Sequence, residues 1–254
     1  MIQIENLSKR YGKNEILRQI TVRFESGGIY GLVGANGCGK TTLMRCICGF
    51  SQPTTGYVLV NGCLVGGRRA LRRNPALQRS GAVSKAADFA PKTGVIIESP
   101  GFLPNESGLT NLMLLADMSG RADRADARRA METLGLSPDE RKPVGRYSLG
   151  MRQRLGFAQA IMENPDVLVL DEPFNAMDRD AMEEVHALLS LDEPFNGLDK
   201  DGVRDIHGLL QQQKAQGKTI ILASHSAADI AKACDIVYEM EDGRLRRAVP
   251  AERN

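Results

Sequence analysis

The chain has 254 residues, of which 42% are hydrophobic and 25% charged, and its formal net charge is +2. This size and composition suit one domain with an appended lobe and disfavour two fully independent domains. The charge is too small to indicate nucleic acid by itself. No apolar run is long enough to cross a bilayer and the N-terminus MIQIENLSKRYGKNE lacks the apolar block of a signal peptide, so we expect a cytosolic protein. The five cysteines include no CxxC pair, which predicts free thiols.

A glycine-rich segment follows the first predicted buried strand, residues 29–33. Its letters GANGCGKTT match G-x-x-x-x-G-K-[ST], and a helical pattern follows at residues 42–50. Glycines let successive backbone N–H groups point at phosphate oxygens, and the helix N-terminus adds partial positive charge. Lys40 is then placed to reach the β and γ phosphates, and the Thr41 hydroxyl to bind magnesium. The predicted ATP-binding residues of this loop are Gly34, Ala35, Asn36, Gly37, Cys38, Gly39, Lys40, Thr41 and Thr42.

Acidic and imidazole side chains follow two further predicted strands. Residues 167–170 are apolar at every position, as in a central parallel strand, and Asp171 and Glu172 come directly after them. Ligands of open α/β sheets lie at the carboxyl ends of the strands, so Asp171 can hold magnesium and Glu172 can orient or deprotonate a water. The strand at residues 219–223 leads to His225, which could sense or stabilise the γ-phosphate.

Between these motifs lies YSLGMRQRLGFAQAIMENPDVLVLDEP, and this stretch resembles the nucleotide-binding domains of ABC transporters. In that family a signature near LSGGQ opens a helix shortly before the acidic strand. Here Ser148 can cap the helix and Gly150 allows close backbone approach to a phosphate, whereas Met151 replaces glutamine. The letters YSLGM are similar to the divergent signatures of exporters in the antibiotic-resistance and lantibiotic-immunity branch.

Three other positions correspond to landmarks of the same family. Tyr11, in KRYGK, matches the aromatic residue that stacks on adenine. Glu98 stands where the family has the Q-loop glutamine, and its carboxylate could meet magnesium or a magnesium-bound water. Asp178 corresponds to the acidic residue of the D-loop.

The resemblance implies an α/β fold in which a P-loop NTPase core has a mainly parallel sheet, a small N-terminal antiparallel β part and an inserted α-helical lobe at about residues 99–163. It also implies that two such domains face each other as a homodimer or with a paired ATPase subunit, each signature completing the partner's site. The implied function is magnesium-dependent ATP hydrolysis that powers transport, with export favoured, by a separate membrane-spanning permease. We therefore expect a peripheral protein on the cytoplasmic face of the membrane and no nucleic-acid partner.

One segment of the chain occurs twice in tandem, since residues 171–190 recur with changes at residues 192–211. We predict that the first copy occupies the site, because only it follows a good buried strand. On this interpretation Glu193 and Asp199 belong to a spare loop before a second helix at about residues 203–216. The alternatives are that the second copy takes the site or that the repeat arose in sequencing or assembly.

Residues 66–87 form an arginine-rich insertion without any acidic residue. We interpret it as a surface insertion; contact with anionic lipid headgroups, or less readily with nucleic acid, is the alternative. Two other functions compete with transport. The first is a non-transport ABC ATPase acting on DNA or the ribosome, and the second is a degraded regulatory subunit that binds ATP without turnover.

Overall fold

The computed structural model describes residues 1–73, 77, 83–98, 101–173, 199–225 and 227–248. Asp178, Glu193 and the residues around them lie outside these ranges. The chain divides into two compact units: unit 1 comprises residues 1–98, 164–172 and 214–254, and unit 2 comprises residues 99–163 and 173–213. Within the described ranges, no helix has the length and apolar character of a membrane span.

A mainly parallel sheet forms the centre of unit 1. Its strands are β3 (Ile29–Val33), β7 (Thr93–Ile96), β8 (Val167–Asp171), β9 (Thr219–Ser224), β10 (Ile236–Glu241) and β11 (Arg244–Arg247), in the order β11-β10-β3-β9-β8-β7. Only the β10–β11 pair is antiparallel. Every residue of β8 and β9 is buried, which is why these strands are almost continuously apolar. The predicted parallel core is confirmed.

A second sheet in unit 1 is built from the N-terminal strands. These are β1 (Ile2–Tyr11), β2 (Asn14–Phe24), β4 (Thr55–Val60), β5 (Cys63–Val65) and β6 (Lys85–Ala87), in the order β2-β1-β4-β5-β6. The β1–β2, β1–β4 and β4–β5 pairs are antiparallel, and β5–β6 is parallel. Because the register between β1 and β2 is irregular, their buried and exposed residues do not alternate simply. The sequence therefore predicted a smaller antiparallel part than the five-stranded sheet that the structure has.

Helix α1 (Lys40–Cys48) follows β3 and packs into the core between the two sheets. It starts and ends two residues before the predicted bounds, because Gly39 and Gly49 flank it with φ values of 116° and 89°, in the left-handed region. Gly49 also has no room for a side chain: a Cβ there would lie 2.2 Å from the Asp88 carbonyl oxygen. On α1, the side chains of Leu43 and Ile47 are fully buried.

The arginine-rich insertion is partly anchored in unit 1. It contains helix α2 (Gly67–Arg73) and strand β6. Ala70 and Leu77 are buried in a small cluster with two residues of β4 and β5, and the Arg73 guanidinium donates to the carbonyl oxygens of Pro53 and Thr54 at 2.8 and 3.2 Å. The described part of the insertion is therefore packed against the antiparallel sheet.

Unit 2 is helical over its described residues. It contains α3 (Gly108–Ser119), α4 (Arg124–Thr133), the 3₁₀ turn Val144–Arg146, α5 (Leu149–Ile161) and most of α6 (Asp199–Ala215). Its core is apolar and includes Leu112, Met131 and Leu155, all fully buried. The expectation that Asp199 belongs to a loop before a helix starting near residue 203 is wrong. Helix α6 begins at Asp199, four residues before Val203, the first apolar residue of the helical pattern.

Because β9 lies inside the parallel sheet, between β3 and β8, removing a buried side chain from it should lower the stability of the fold substantially. Ile221 is fully buried and lies between β3 and β8. We expect Ile221→Ala to lower the free energy of unfolding by about 3 kcal/mol, because it removes buried methyl groups and leaves a cavity. Met118, which is 85% exposed, is the control, and Met118→Ala should cost less than about 0.5 kcal/mol. Urea denaturation followed by circular dichroism measures both, and equal midpoints would contradict the burial described here.

Candidate functional site

The loop between β3 and α1 folds around the side chain of Lys40. This ammonium group donates to the carbonyl oxygens of Gly34 and Ala35 at 2.6 and 3.2 Å, and the residue is only 6% exposed. A Cβ at Gly34 would lie 2.3 Å from the Met240 carbonyl oxygen, so a side chain does not fit there. Gly37 adopts φ 80°, which supports the tight curl of the loop. The loop thus curls tightly around a buried cation.

A short hydrogen bond joins this loop to the end of β8. The Thr41 hydroxyl donates to Asp171 Oδ2 at 2.6 Å. The other oxygen of the same carboxylate, Oδ1, is buried, and no hydrogen-bond donor of the described residues reaches it. A buried carboxylate oxygen without a donor, next to a threonine hydroxyl, is a suitable ligand pair for a hard divalent cation such as magnesium. The residues therefore fit a magnesium ion.

The same burial changes the acidity of Asp171. Burial raises the pKa of its carboxyl group, while the hydrogen bond from Thr41 acts in the opposite direction. The negative charges of Glu172 and Glu98 raise this pKa further, and the positive charge of Lys40 lowers it. An ionised Asp171 is thus costly in the ligand-free protein and favourable beside a cation.

Glu172 and His225 form a pair at the same edge of the sheet. The His225 Nδ1 atom lies 3.1 Å from Glu172 Oε2, and the Glu172 backbone amide donates to the carbonyl oxygen of Ala223 at 2.8 Å. Glu172 has φ 47°, a left-handed conformation that is uncommon for glutamate. Such conformations concentrate at functional sites, where the surrounding structure holds them.

Glu98 lies at the rim of the site and forms an ion pair that the sequence analysis missed. Its Oε1 atom is 2.6 Å from Arg45 Nη2, and its φ of 63° is again left-handed. Arg45 follows Thr41 by four residues, so both lie on one side of α1. The helical spacing from Thr41, together with an acid in place of glutamine at position 98, is the signal that could have indicated this pair.

These groups surround one cavity of about 330 Å³. Its lining residues are Asn36, Gly37, Gly39, Lys40, Thr41, Thr42, Glu98, Asp171 and Glu172. Gly34, Ala35 and Cys38 instead border a neighbouring cavity on the β10–β11 side of the loop. A larger cavity of about 680 Å³ lies against β1, β2 and β4 and is lined by none of these residues. The nine residues that line the cavity of about 330 Å³ come from three segments that are distant in sequence: 36–42, 98 and 171–172.

The remaining predicted residues lie elsewhere. Tyr11 ends β1, is 50% exposed, and its hydroxyl lies 3.2 Å from that of Ser51. In unit 2, the Ser148 hydroxyl accepts from the Met151 amide at 3.2 Å and caps α5. Apart from the adjacent residues and the backbone of its own helix, no heavy atom of the described residues lies within 4 Å of the Cβ position of Gly150. Asp178 lies outside the described residues.

Three features meet at one edge of the sheet: a glycine-rich loop around a buried lysine, a hydroxyl–carboxylate pair suited to magnesium, and an acid paired with histidine. Together they define a P-loop nucleoside triphosphatase.

Comparison with known proteins refines this class. The ABC transporter family model matches residues 17–175. The chain is 36% identical over 245 residues to the uncharacterized ABC transporter ATP-binding protein YybJ of Bacillus subtilis (96% of this chain, 94% of that protein). It is 33% identical to the bacitracin transport ATP-binding protein BcrA of Enterococcus faecalis (96% and 68%). It is 29% identical to the lantibiotic transport ATP-binding protein SrtF of Streptococcus pyogenes (96% and 89%).

The fold is similar to that of solved cassettes. The dimeric structure of MJ0796, a bacterial ABC transporter cassette, superposes with a TM-score of 0.72 at 19% identity and 100% coverage of both chains. The chain belongs to the ABC transporter family. It is an ATPase, the ATP-binding subunit that powers transport by a separate membrane-spanning partner.

The raised pKa of Asp171 predicts a pH-dependent stability difference. With the folded-state pKa above its ordinary value of 3.8, ionisation of Asp171 destabilises the folded protein as the pH rises through the interval between the two values. This cost is complete above the raised pKa and absent below the ordinary one. Asp171→Asn avoids it and keeps an oxygen that can accept from Thr41. We therefore expect this variant to have the higher melting temperature at neutral pH without nucleotide.

Thermal unfolding between about pH 4 and pH 8 measures the effect, and the advantage of the variant should shrink towards the acidic end. Asp242 is exposed, so Asp242→Asn serves as the control and should change the melting temperature little. A melting temperature of Asp171→Asn below that of the parent at neutral pH would show that the ionised carboxylate stabilises the ligand-free fold.

Proposed function

We propose that this chain drives the export of an antimicrobial peptide or antibiotic through a membrane-spanning permease, from the cytoplasmic face of the membrane. Relatives named for bacitracin and lantibiotic transport align with 96% of the chain and support this substrate class. The observation that carries the chemistry is the 2.6 Å hydrogen bond from Thr41 to Asp171, since it joins the phosphate loop to the acidic end of β8. The proposed assembly is a homodimer or a pair with a second ATPase subunit.

The loop residues hold the nucleotide in this proposal. The backbone amides of residues 34–42 bind the phosphates, and Lys40 neutralises their charge. The aromatic ring of Tyr11 stacks on adenine. Its exposure of 50% leaves a ring surface for that contact. Lys9 Nζ lies 4.6 Å from the centre of the same ring.

Thr41 and Asp171 hold magnesium, and Glu98 takes part at the rim, either directly or through a bound water. When bound, the ion supplies charge neutralisation at the phosphate oxygens. Within the described ranges, no group of three or more His, Cys, Asp or Glu is arranged to hold a metal ion.

Glu172 positions the attacking water and accepts its proton in the proposed reaction, and His225 braces the γ-phosphate. The 3.1 Å contact between them allows the imidazole to orient the carboxylate. In this proposal the first copy of the tandem segment occupies the site. Its Asp178 then acts as the D-loop acid.

Ser148, Gly150 and Met151 act on the nucleotide site of the facing subunit. The cap at Ser148 leaves the amides of the first turn of α5 at a positive helix end, and the open surface at Gly150 permits close approach of a phosphate. The helical lobe at about residues 99–163 carries these residues within a single ABC ATPase domain of 254 residues.

The choice between the tandem copies is tested by two matched substitutions. We expect Glu172→Gln to lower the ATPase rate at least about a hundredfold, because the proton acceptor is lost, while ATP affinity stays within a few-fold of the parent. Glu193→Gln makes the same chemical change in the second copy and should leave the rate near that of the parent. Steady-state phosphate release and equilibrium nucleotide binding measure both. Loss of activity in Glu193→Gln alone would assign the site to the second copy.

The transport role predicts a specific partner. We expect the tagged protein, purified from its native host in mild detergent, to be recovered from the membrane fraction with a multi-spanning protein in stoichiometric amount. The same preparation after high-salt washing tests whether the association is specific. Recovery with ribosomes or DNA and without a membrane protein would favour the non-transport ATPase, and absence of turnover in the purified complex would favour a degraded regulatory subunit.

A further inference from the structure

Arg45 is the basic residue of α1 that the proposed reaction does not use. It lies one helical turn after Thr41, and its guanidinium contacts the Glu98 carboxylate at 2.6 Å. The two side chains are 39% and 67% exposed. An exposed pair of this kind contributes little to folding stability. The pair lies at the rim of the proposed nucleotide cavity, so it can influence what binds there.

The cavity that Glu98 borders has an excess of negative charge. Among its lining residues, three are acidic and one is basic: Glu98, Asp171, Glu172 and Lys40. A nucleoside triphosphate is itself strongly anionic, and uncompensated carboxylates near its phosphates oppose binding. A magnesium ion offsets the carboxylates that lie closest to it. Glu98, at the rim, is paired with the guanidinium of Arg45.

The position of the Glu98 carboxylate depends on the backbone conformation of this residue and on its ion pair with Arg45. The residue follows the end of β7 and has φ 63°, so its conformation is not one that glutamate favours. Its neighbour two residues earlier, Ile96, is buried and fixes the chain entering this turn. The Arg45 contact then tethers one carboxylate oxygen and limits the positions that the side chain can reach. Backbone and ion pair together determine where the carboxylate lies.

We propose that Arg45 is a positioning residue of the nucleotide site, which holds the Glu98 carboxylate at the rim of the cavity and cancels its charge. The functional group at this position is the Arg45–Glu98 pair, which as a whole is neutral, as a glutamine would be. This inference rests on the proposed function of the cavity as the ATP site. It predicts that the contribution of Arg45 to nucleotide binding depends on the presence of an acid at position 98.

A double-mutant cycle tests the dependence. The variants are Arg45→Gln, Glu98→Gln and their combination, and the measurement is the Kd for ATP in EDTA by calorimetry, where hydrolysis does not interfere. We expect Arg45→Gln to raise the Kd about fivefold, because it leaves the Glu98 charge uncompensated. In the Glu98→Gln background the same substitution should change the Kd less than about twofold. Arg45→Lys, which restores the positive charge, should recover most of the affinity.

Two controls separate the pair from general charge and folding effects. Arg23 forms an exposed ion pair with Glu25 at 2.7 Å on β2, so Arg23→Gln makes the same change of net charge away from the cavity and should not alter the Kd. The fivefold effect should also shrink in about 0.5 M salt, since screening weakens an interaction between charges but not a steric defect. If Arg45→Gln lowers the melting temperature markedly, Arg45→Met replaces it in both backgrounds.

Equal effects of the Arg45 substitution in the parent and in the Glu98→Gln background would overturn the proposal, and so would an effect that salt does not change. An unaltered Kd in Arg45→Gln would overturn it as well. Failure of the parent to bind ATP would instead refute the proposed function of the cavity. The two failures are therefore distinguishable in one set of measurements.

Discussion

The hydrogen bond between the Thr41 hydroxyl and Asp171 is the contact on which the site depends. It joins the loop after β3 to the end of β8, and these strands are not neighbours: β9 lies between them. Because β3, β9 and β8 run parallel, their carboxyl ends reach the same edge of the sheet. The burial of β9 thus serves chemistry as well as stability, since this strand sets the spacing between the phosphate loop and the acidic residues and itself leads to His225.

The site is arranged for an anion and a cation at some cost to the ligand-free protein. Asp171 is buried with one oxygen that lacks a donor among the described residues, and burial raises its pKa. Both Glu98 and Glu172 adopt left-handed backbone conformations. Each of these features is unfavourable without a ligand and becomes useful with one. The buried carboxylate of Asp171 and the left-handed conformations of Glu98 and Glu172 lie at the same edge of the sheet, which supports the proposed site.

The motif-bearing strands and the phosphate loop could be predicted from sequence because their signals are local. A continuous apolar run followed by Asp171 and Glu172 indicates both a buried strand and its functional end. The Arg45–Glu98 pair leaves only an indirect signal, the spacing of Arg45 from Thr41 and the acid at position 98. The two residues are 53 positions apart, and their approach depends on the packing of α1 against the parallel sheet. The bounds of α1 were misjudged for a simpler reason: glycine conformations at Gly39 and Gly49 end the helix, and the apolar pattern does not report them.

The hydrogen bond from the Glu172 amide to the Ala223 carbonyl oxygen limits which acidic side chains can replace Glu172. It locks the end of β8 to β9, so the separation between the Glu172 and His225 main chains is set by the sheet register. The side chain of Glu172 must then be long enough to span the remaining distance to His225. An aspartate in place of Glu172 would be shorter by about 1.5 Å, one carbon–carbon bond, and the rigid frame could not move to close it. The geometry of this edge therefore favours an acid with the length of glutamate, which places Oε2 3.1 Å from His225 Nδ1.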